Sequence, residues 1–487
     1  MSSSRILVPL GLSLVMLSTA CGNRQPLEQA TLQTGGTGTT TGTGTATGSD
    51  GTGGTTGVGV TGGTTGVGVT GSTTGAGTVG ATGTTTGSAS GAAPGGRSGG
   101  AQGATTTGGS SSGGSAPAGP KHYDQGASDT AIKFGSVSSL TGLFTDFMQP
   151  RGARAFFKYI NSLGGVNGRQ LSLLIYDDQY DVTRNAALTR QAFESDKVFA
   201  FVANEAALTA HGGRAYVEAN NIPVIGGDLI DASSWGKSPM YYPQSYLESA
   251  AGGRLAGRFA ASLGCKRVAG MSLAVDESRG WTKSFEQGLK DGGISGGYTY
   301  SADVSFAETD YTAYVANMKS ENVDCATFGA QTTNFVRFQR AFDQQNYHPK
   351  QILPSSAYDP VYAKEAAPGN EGTYSMVQYD IFENAKSNPA VKLFLDQSAK
   401  WEPGMKQSGY AILAWVAGEI AVEAVRHMGN NITRQNLIDS LNSLTNFKTG
   451  IVPPISFTSG PHTGLNCGNV IRRTGGTWVV VKAKICL

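Results

Sequence analysis

Charge is scarce in this chain. Asp, Glu, Lys and Arg make up 15% of 487 residues and nearly cancel at a formal +2. No basic run interrupts that balance, which argues against a nucleic-acid partner. Histidine is rarer still: His122, His211, His348, His427 and His462 are scattered without the spacing a metal site needs, and no CxxC accompanies them. HExxH and Walker-type loops are absent, so nothing codes for a zinc protease or a phosphate cradle. The many Gly pairs read as turns. Long apolar runs are lacking too, and the single segment able to enter a membrane lies at the amino terminus. No cofactor, no metal and no catalysis are expected.

The amino-terminal segment has Arg5, an apolar run over 6–16, small residues and then Cys21, the layout of a secretory signal too short to span a bilayer. Leu17-Ser18-Thr19-Ala20-Cys21 resembles a bacterial lipoprotein signal. The resemblance implies removal of 1–20 and acylation of Cys21, which anchors the exported protein to the outer face of the cell membrane. Ser18 stands where that signal usually carries Leu, so ordinary signal-peptidase cleavage near Ala20 is the alternative. From about 34 to 120 the chain is nearly all Gly, Thr, Ser and Ala. With too few apolar side chains to offset chain entropy, a disordered tether is expected, and 21–128 is assigned as linker. Its repeated nonapeptide GGTTGVGVT, at 53–61 and 62–70, lacks the Asp ligands of a calcium-binding β-roll. About 90 residues of this kind reach on the order of 50 Å, enough to lift a domain off a membrane surface.

Beyond the linker, strands and helices alternate. Residues 132–137 read as a strand, Ser138 to Gly142 as a hydroxyl-rich loop, 149–163 as a helix and 171–176 as a second strand. Short apolar runs at 200–202, 223–225, 267–271, 324–328 and 351–353 alternate with helical patterns at 183–194, 209–220, 247–263, 281–290, 311–320 and 335–345. Such alternation predicts parallel sheets covered by helices, and the strands are too many for one small sheet. In the turn Gly164-Gly165-Val166-Asn167-Gly168-Arg169, Gly164 suits a left-handed helix end and Asn167-Gly168 a tight turn.

Three segments in order, SSLTG at 138–142, GGVNGR at 164–169 and YDDQYDVTRNA at 176–186, resemble the type I periplasmic binding proteins of ABC importers, the leucine/isoleucine/valine-binding family. The resemblance implies an α/β fold of two doubly wound parallel-sheet lobes joined by a three-strand hinge. The first lobe is assigned to 129–246 and 374–450, the second to 247–373 and 451–487. The late helix 410–427, with Ile412, Leu413, Val416, Ile420 and Val425 on one face, returns to the first lobe. In the family the Asp177-Asp178 pair is structural rather than catalytic, and Asp181 serves as a helix N-cap. If Cys21 carries lipid, four cysteines are left for an oxidising compartment, and Cys265 with Cys325 and Cys467 with Cys486 are the expected disulfides.

Ligand contacts are expected at the carboxyl ends of strands, where open α/β sheets bind small molecules. On the first lobe these are Ser139, Thr141 and Gly142 after the first strand, Glu205, Ala207 and Thr209 after the third, and Asp228 after the fourth. Capping of the following helices is the competing role. The family's signature hydroxyl for an α-carboxylate is replaced by Ala206 or Ala207, which puts amino-acid recognition in doubt and leaves Glu205 suited to a cationic or hydrogen-bond-donating group. On the second lobe the candidates are the loop Glu277-Ser278-Arg279-Gly280, above all Ser278, then Gln331 with Thr332 and Tyr358 with Asp359, while Trp281 is read as core.

The resemblance thus implies a lipid-anchored, monomeric solute-binding protein. It would close around a small polar molecule, an amino acid or a related compound, and deliver it to ABC permease subunits. A sensor of the same fold that signals without transport is the alternative, and genes for two permeases and two ATPases alongside would distinguish them.

Overall fold

The computed structural model describes residues 121–142, 148–231 and 234–487. The expected signal sequence, Cys21 and the Gly/Thr-rich stretch to 120 lie outside the described residues. The folded domain starts earlier than composition implied. Residues 121–128, assigned to the linker, are tied into it: β1 (His122–Tyr123) pairs with a late strand, and the Gln125 amide donates to Phe193 O at 2.9 Å.

The first sheet is built from β2 (Ala131–Ser138), β3 (Gln170–Asp177), β4 (Phe201–Asn204), β5 (Val224–Gly227) and β6 (Tyr241–Tyr242), all parallel, in the order β3-β2-β4-β5-β6. Helices α1 (Arg151–Ser162), α2 (Val182–Glu194) and α3 (His211–Ala219) make the connections. The α1–β3 turn forms as its residues require. Gly164, Asn167 and Gly168 all have positive φ, and Val166 and Arg169 exchange both backbone hydrogen bonds at 2.9 Å. The Asp181 side chain caps α2, accepting from Arg184 N–H at 2.7 Å.

The second lobe runs α4 (Gly253–Ser262), β7 (Val268–Leu273), α5 (Asp276–Asp291), β8 (Tyr300–Val304), α6 (Thr312–Ser320), β9 (Cys325–Gly329), α7 (Thr332–Gln344), β10 (Lys350–Leu353), α8 (Pro360–Glu365) and β11 (Tyr374–Val377). The chain then returns through α9 (Pro389–Trp401), α10 (Gly409–His427), β12 (Asn431–Ile432) and α11 (Arg434–Ser443), and ends in the hairpin β13 (Cys467–Thr474) and β14 (Thr477–Cys486). The second sheet has the order β14-β13-β11-β10-β9-β7-β8, parallel except where β13 joins β11 and β14. Strand β11 therefore belongs to the second sheet, although 374–377 was assigned to the first lobe. It pairs with β10 and β13, so the crossover follows Val377. Residues 451–457 likewise stay with the return segment, since Ile455 bridges Phe447 and Phe457 packs edge-on against Tyr242.

Three chain segments cross between the lobes and bond to one another. Tyr246 bridges Gly464, Ser245 Oγ donates to Gln378 Oε1 at 2.8 Å, and Asn469 Nδ2 donates to Tyr379 O at 3.1 Å. Both expected disulfides are present, Cys265–Cys325 and Cys467–Cys486. Helix α10 lies in the first lobe against α1, β4 and β5. It is buried nearly all round, with Ala414, Trp415, Ala417 and Ala421 enclosed as well as the expected face. Among the described residues no helix is long and apolar enough to cross a membrane.

Candidate functional site

The carboxyl ends of both sheets open on one cleft holding about 1100 Å³ of empty space, counted to its mouth. Glu205, Ala207 and Asp228 line it from the first lobe, and Ser278, Gln331 and Tyr358 from the second. Gln378 and Tyr379 of a crossing segment and Tyr410 and Leu413 of α10 contribute as well. These six of the ten foremost candidates are brought together.

The other four are not. Ser139, Thr141, Gly142 and Thr209 stand outside the lining, the three hydroxyls because two carboxylates behind the cleft claim them. Fully buried Asp178 accepts from Ser139 Oγ (2.7 Å), Thr209 Oγ1 (2.6 Å) and Asn185 Nδ2 (2.8 Å). Asp177 accepts from the Thr141 hydroxyl and from the N–H groups of Leu140 (2.9 Å) and Thr141 (3.2 Å). A Cβ on Gly142, whose φ is +105°, would lie 2.8 Å from Gln179 O, so that glycine serves close loop packing. These residues brace the site instead of touching its contents. Asp177 and Asp178 also accept the N–H groups of Gln179 (3.1 Å) and Tyr180 (3.0 Å), two consecutive left-handed residues. That strained turn sets Tyr180 on the cleft wall.

Glu205 follows β4 and is held on both sides of its peptide: its N–H donates to Ser138 Oγ at 3.0 Å and its carbonyl accepts from Ser139 N–H at 2.9 Å. Its side chain is 1% exposed. Oε2 accepts from Gln149 N–H at 3.2 Å, while Oε1 has no hydrogen bond among the described residues. Burial, with the charge of Asp228 added, raises its carboxyl well above the usual range. Asp228 is aimed by Gly227, where a Cβ would stand 2.1 Å from Asn204 O.

On the facing wall the hydroxyls are already engaged. Ser278 Oγ accepts from Leu273 N–H at 2.7 Å and donates to Gly329 O, tying β7 to β9. The Tyr358 hydroxyl donates to Glu383 and accepts from Phe382 N–H at 2.9 Å, so the ring is what it offers the cleft. Gln331 caps α7. Helix α5 begins at Asp276 rather than 281, which puts Glu277 and Ser278 in its first turn and Glu277 on the cleft. Burial raises the Glu277 carboxyl, and nearby Asp231 and Asp276 add to the effect. Trp281, read as core, is buried and also lines the cavity, with Nε1 donating to Thr327 Oγ1 at 3.0 Å.

Sequence reasoning missed Tyr180, Phe306, Tyr379, Tyr410 and Leu413, none of which carried a local signal. Glu277 and Asp359, eligible as residues that follow strand ends, both line the cleft. No Lys, Arg or His lines the cleft among the described residues. The described cluster with metal-ligand spacing, Cys265, Asp324 and Cys325, spends both sulfurs in a disulfide, and Asp324 accepts the N–H groups of Lys266 and Arg267.

Comparison with known proteins fits this architecture. The chain is similar to the Leu/Ile/Val-binding protein homolog 1 of Brucella suis, at 23% identity over 298 residues, covering 58% of this chain and 74% of that protein. Among solved structures, a branched-chain amino acid ABC transporter protein from Thermus thermophilus with bound valine superposes with a TM-score of 0.64 at 17% identity, covering 74% of this chain and 98% of that one. A fatty acid ABC transporter substrate-binding protein from Thermomonospora curvata gives 0.64 at 16% identity, over 75% and 95%. The periplasmic binding protein family model matches residues 131–477. On that match and the two hinged sheets, the chain belongs to the periplasmic binding proteins, with the type I fold of the branched-chain amino acid group.

Proposed function

We propose that this chain is the solute-binding lipoprotein of an ABC importer, capturing a small molecule between its lobes and presenting the closed form to a membrane permease. The observation that carries this reading is the composition of the cleft wall: both lobes and a crossing segment contribute side chains to one cavity. A molecule held there meets both walls at once only when the lobes are closed, so binding shifts the population toward the closed form. Glu205, Ala207 and Asp228 receive the ligand, and Ser278, Gln331 and Tyr358 close over it. The acylated Cys21 and the long polar linker leave the monomeric domain free to reach its permease.

The test is small-angle scattering on the secreted chain, with a ligand found by thermal shift, since a ligand of the folded state raises the melting temperature by mass action. The radius of gyration is expected to fall on binding. A tight ligand that leaves the radius unchanged and ignores substitution of Glu205 and Gln331 would place the site elsewhere.

A further inference from the structure

The cleft carries acid on both walls and no base. Glu205 and Asp228 come from the first lobe, Glu277 and Asp359 from the second. Asp359 is matched by Lys406, whose Nζ lies 2.7 Å from Oδ2. No Lys, Arg or His lines the cavity among the described residues, and the sequence of 143–147 and 232–233 contains none either. Around these acids the wall is hydrocarbon and ring: Met148, Leu208, Leu229, Trp281, Phe306 and Leu413.

A carboxylate entering this space would add negative charge where water is displaced and nothing positive answers it. Charges taken from water into a protein interior cost several kcal/mol unless they are paired. Hydroxyl side chains of Tyr180, Ser355, Ser356, Tyr379, Ser408 and Tyr410 line the cleft, but none carries a charge that balances a carboxylate. Ala206 and Ala207 occupy the loop after β4, Thr209 is turned onto Asp178, and Ser278 already bonds to Gly329. An ammonium reverses each of these costs. Glu205 Oε1, buried and without a partner among the described residues, is an acceptor for it, Asp228 supplies further negative charge, and Glu277 approaches from the opposite wall.

We infer that the cleft selects an amphiphilic cation, a protonated amine or amidinium head on an aliphatic or aromatic body, and rejects the carboxylate of the same shape. This inference rests on the cleft being the ligand site. The head is held by Glu205 and Asp228 and covered by Glu277, and the body lies on Trp281, Phe306 and Leu413. Burial shifts the empty Glu205 carboxyl toward its neutral form, and an ammonium beside it favours the charged form.

The test is isothermal titration of the full mature chain with probes that share one carbon skeleton: isoamylamine, leucine and isocaproate, then phenethylamine, phenylalanine and hydrocinnamate. At least one amine is expected to bind roughly tenfold more tightly than its zwitterion, with no binding of the acid at millimolar concentration. Glu205→Gln is expected to weaken that amine by roughly tenfold. Glu277→Gln, on the half-buried wall, is the second variant should the first fold poorly, and it is expected to act in the same direction. Scattering on the same samples separates the two claims. Leucine or an acid that binds as well as its amine and contracts the radius overturns the cation assignment and leaves the solute-binding reading intact. An amine that binds without contraction and ignores both variants overturns both. Failure of both amines to bind overturns the cation assignment.

Discussion

Two glutamates of the first lobe and its return segment titrate in opposite directions, and their neighbours explain why. Burial pushes Glu402 upward, but the side chains of Arg154 (2.7 and 2.8 Å), Lys158 (2.7 Å) and Arg151 (3.1 Å) outweigh it and bring the carboxyl to about 2. Glu419 on α10 has only the Trp415 indole N–H, at 3.0 Å, and its buried Oε2 has no partner among the described residues. Burial therefore wins, and its carboxyl rises to about 8. The native state holds a proton there that the unfolded chain releases near 4.5, so the unfolded state binds fewer protons between the two values. The group's contribution is complete below 4.5 and is lost as pH rises toward 8. Glu419→Gln should abolish that loss. The stability difference between wild type and variant, read by urea unfolding across this window, is expected to shift by up to about 1.4 kcal/mol per pH unit in the variant's favour as pH rises. A difference independent of pH would contradict a protonated native carboxyl.

Between elements, close backbone approach decides more than side-chain size. At Gly152 in the first turn of α1, an added Cβ would lie 1.9 Å from Ala411 O at the start of α10, so the two helices meet there through a glycine. Gly152→Ala is expected to lower stability by about 1–3 kcal/mol, the range for forced overpacking, seen as an earlier thermal midpoint. A gain in stability, as expected when Ala replaces Gly in an open helix, would show that the helices are free to separate. The contact was invisible in the sequence because its partner lies about 260 residues away and a backbone carbonyl leaves no pattern. The periodicity of 410–427 did reveal a helix with an apolar face, yet it could not show that α9, α11 and the sheet would cover the remaining faces.

In the whole molecule, two disulfides staple the second sheet. Cys265–Cys325 joins the approach to β7 with the start of β9 across a separation of 60 residues, and Cys467–Cys486 closes the terminal hairpin across 19. If restriction of the unfolded chain governs, replacing the first pair with Ala should cost about 4 kcal/mol and the second about 3 kcal/mol, measured as denaturant midpoints at constant slope. The reverse order would mean that packing in the folded sheet outweighs loop closure.

The sequence by itself determined what local chemistry controls. Asp181 before α2, the Asn167-Gly168 turn and the alternation of apolar runs each act within a few residues, so each could be read in order along the chain. It also made Cys265 with Cys325 and Cys467 with Cys486 the expected pairs, and the resemblance marked Ala206 or Ala207 as standing where the family carries a hydroxyl. The tertiary structure alone decided which strand-end residues face the cleft. Ser139 and Thr209 look suitable as free hydroxyls, but the fold sets a buried Asp178 behind both, and a desolvated carboxylate takes every donor within reach. Tyr410 and Leu413 reach the cleft from the far end of the chain only because the second crossing returns the chain to the first lobe and packs α10 against it. Whether a polar side chain is available to a ligand depends on what lies behind it in space, and that is settled when distant segments of the chain meet.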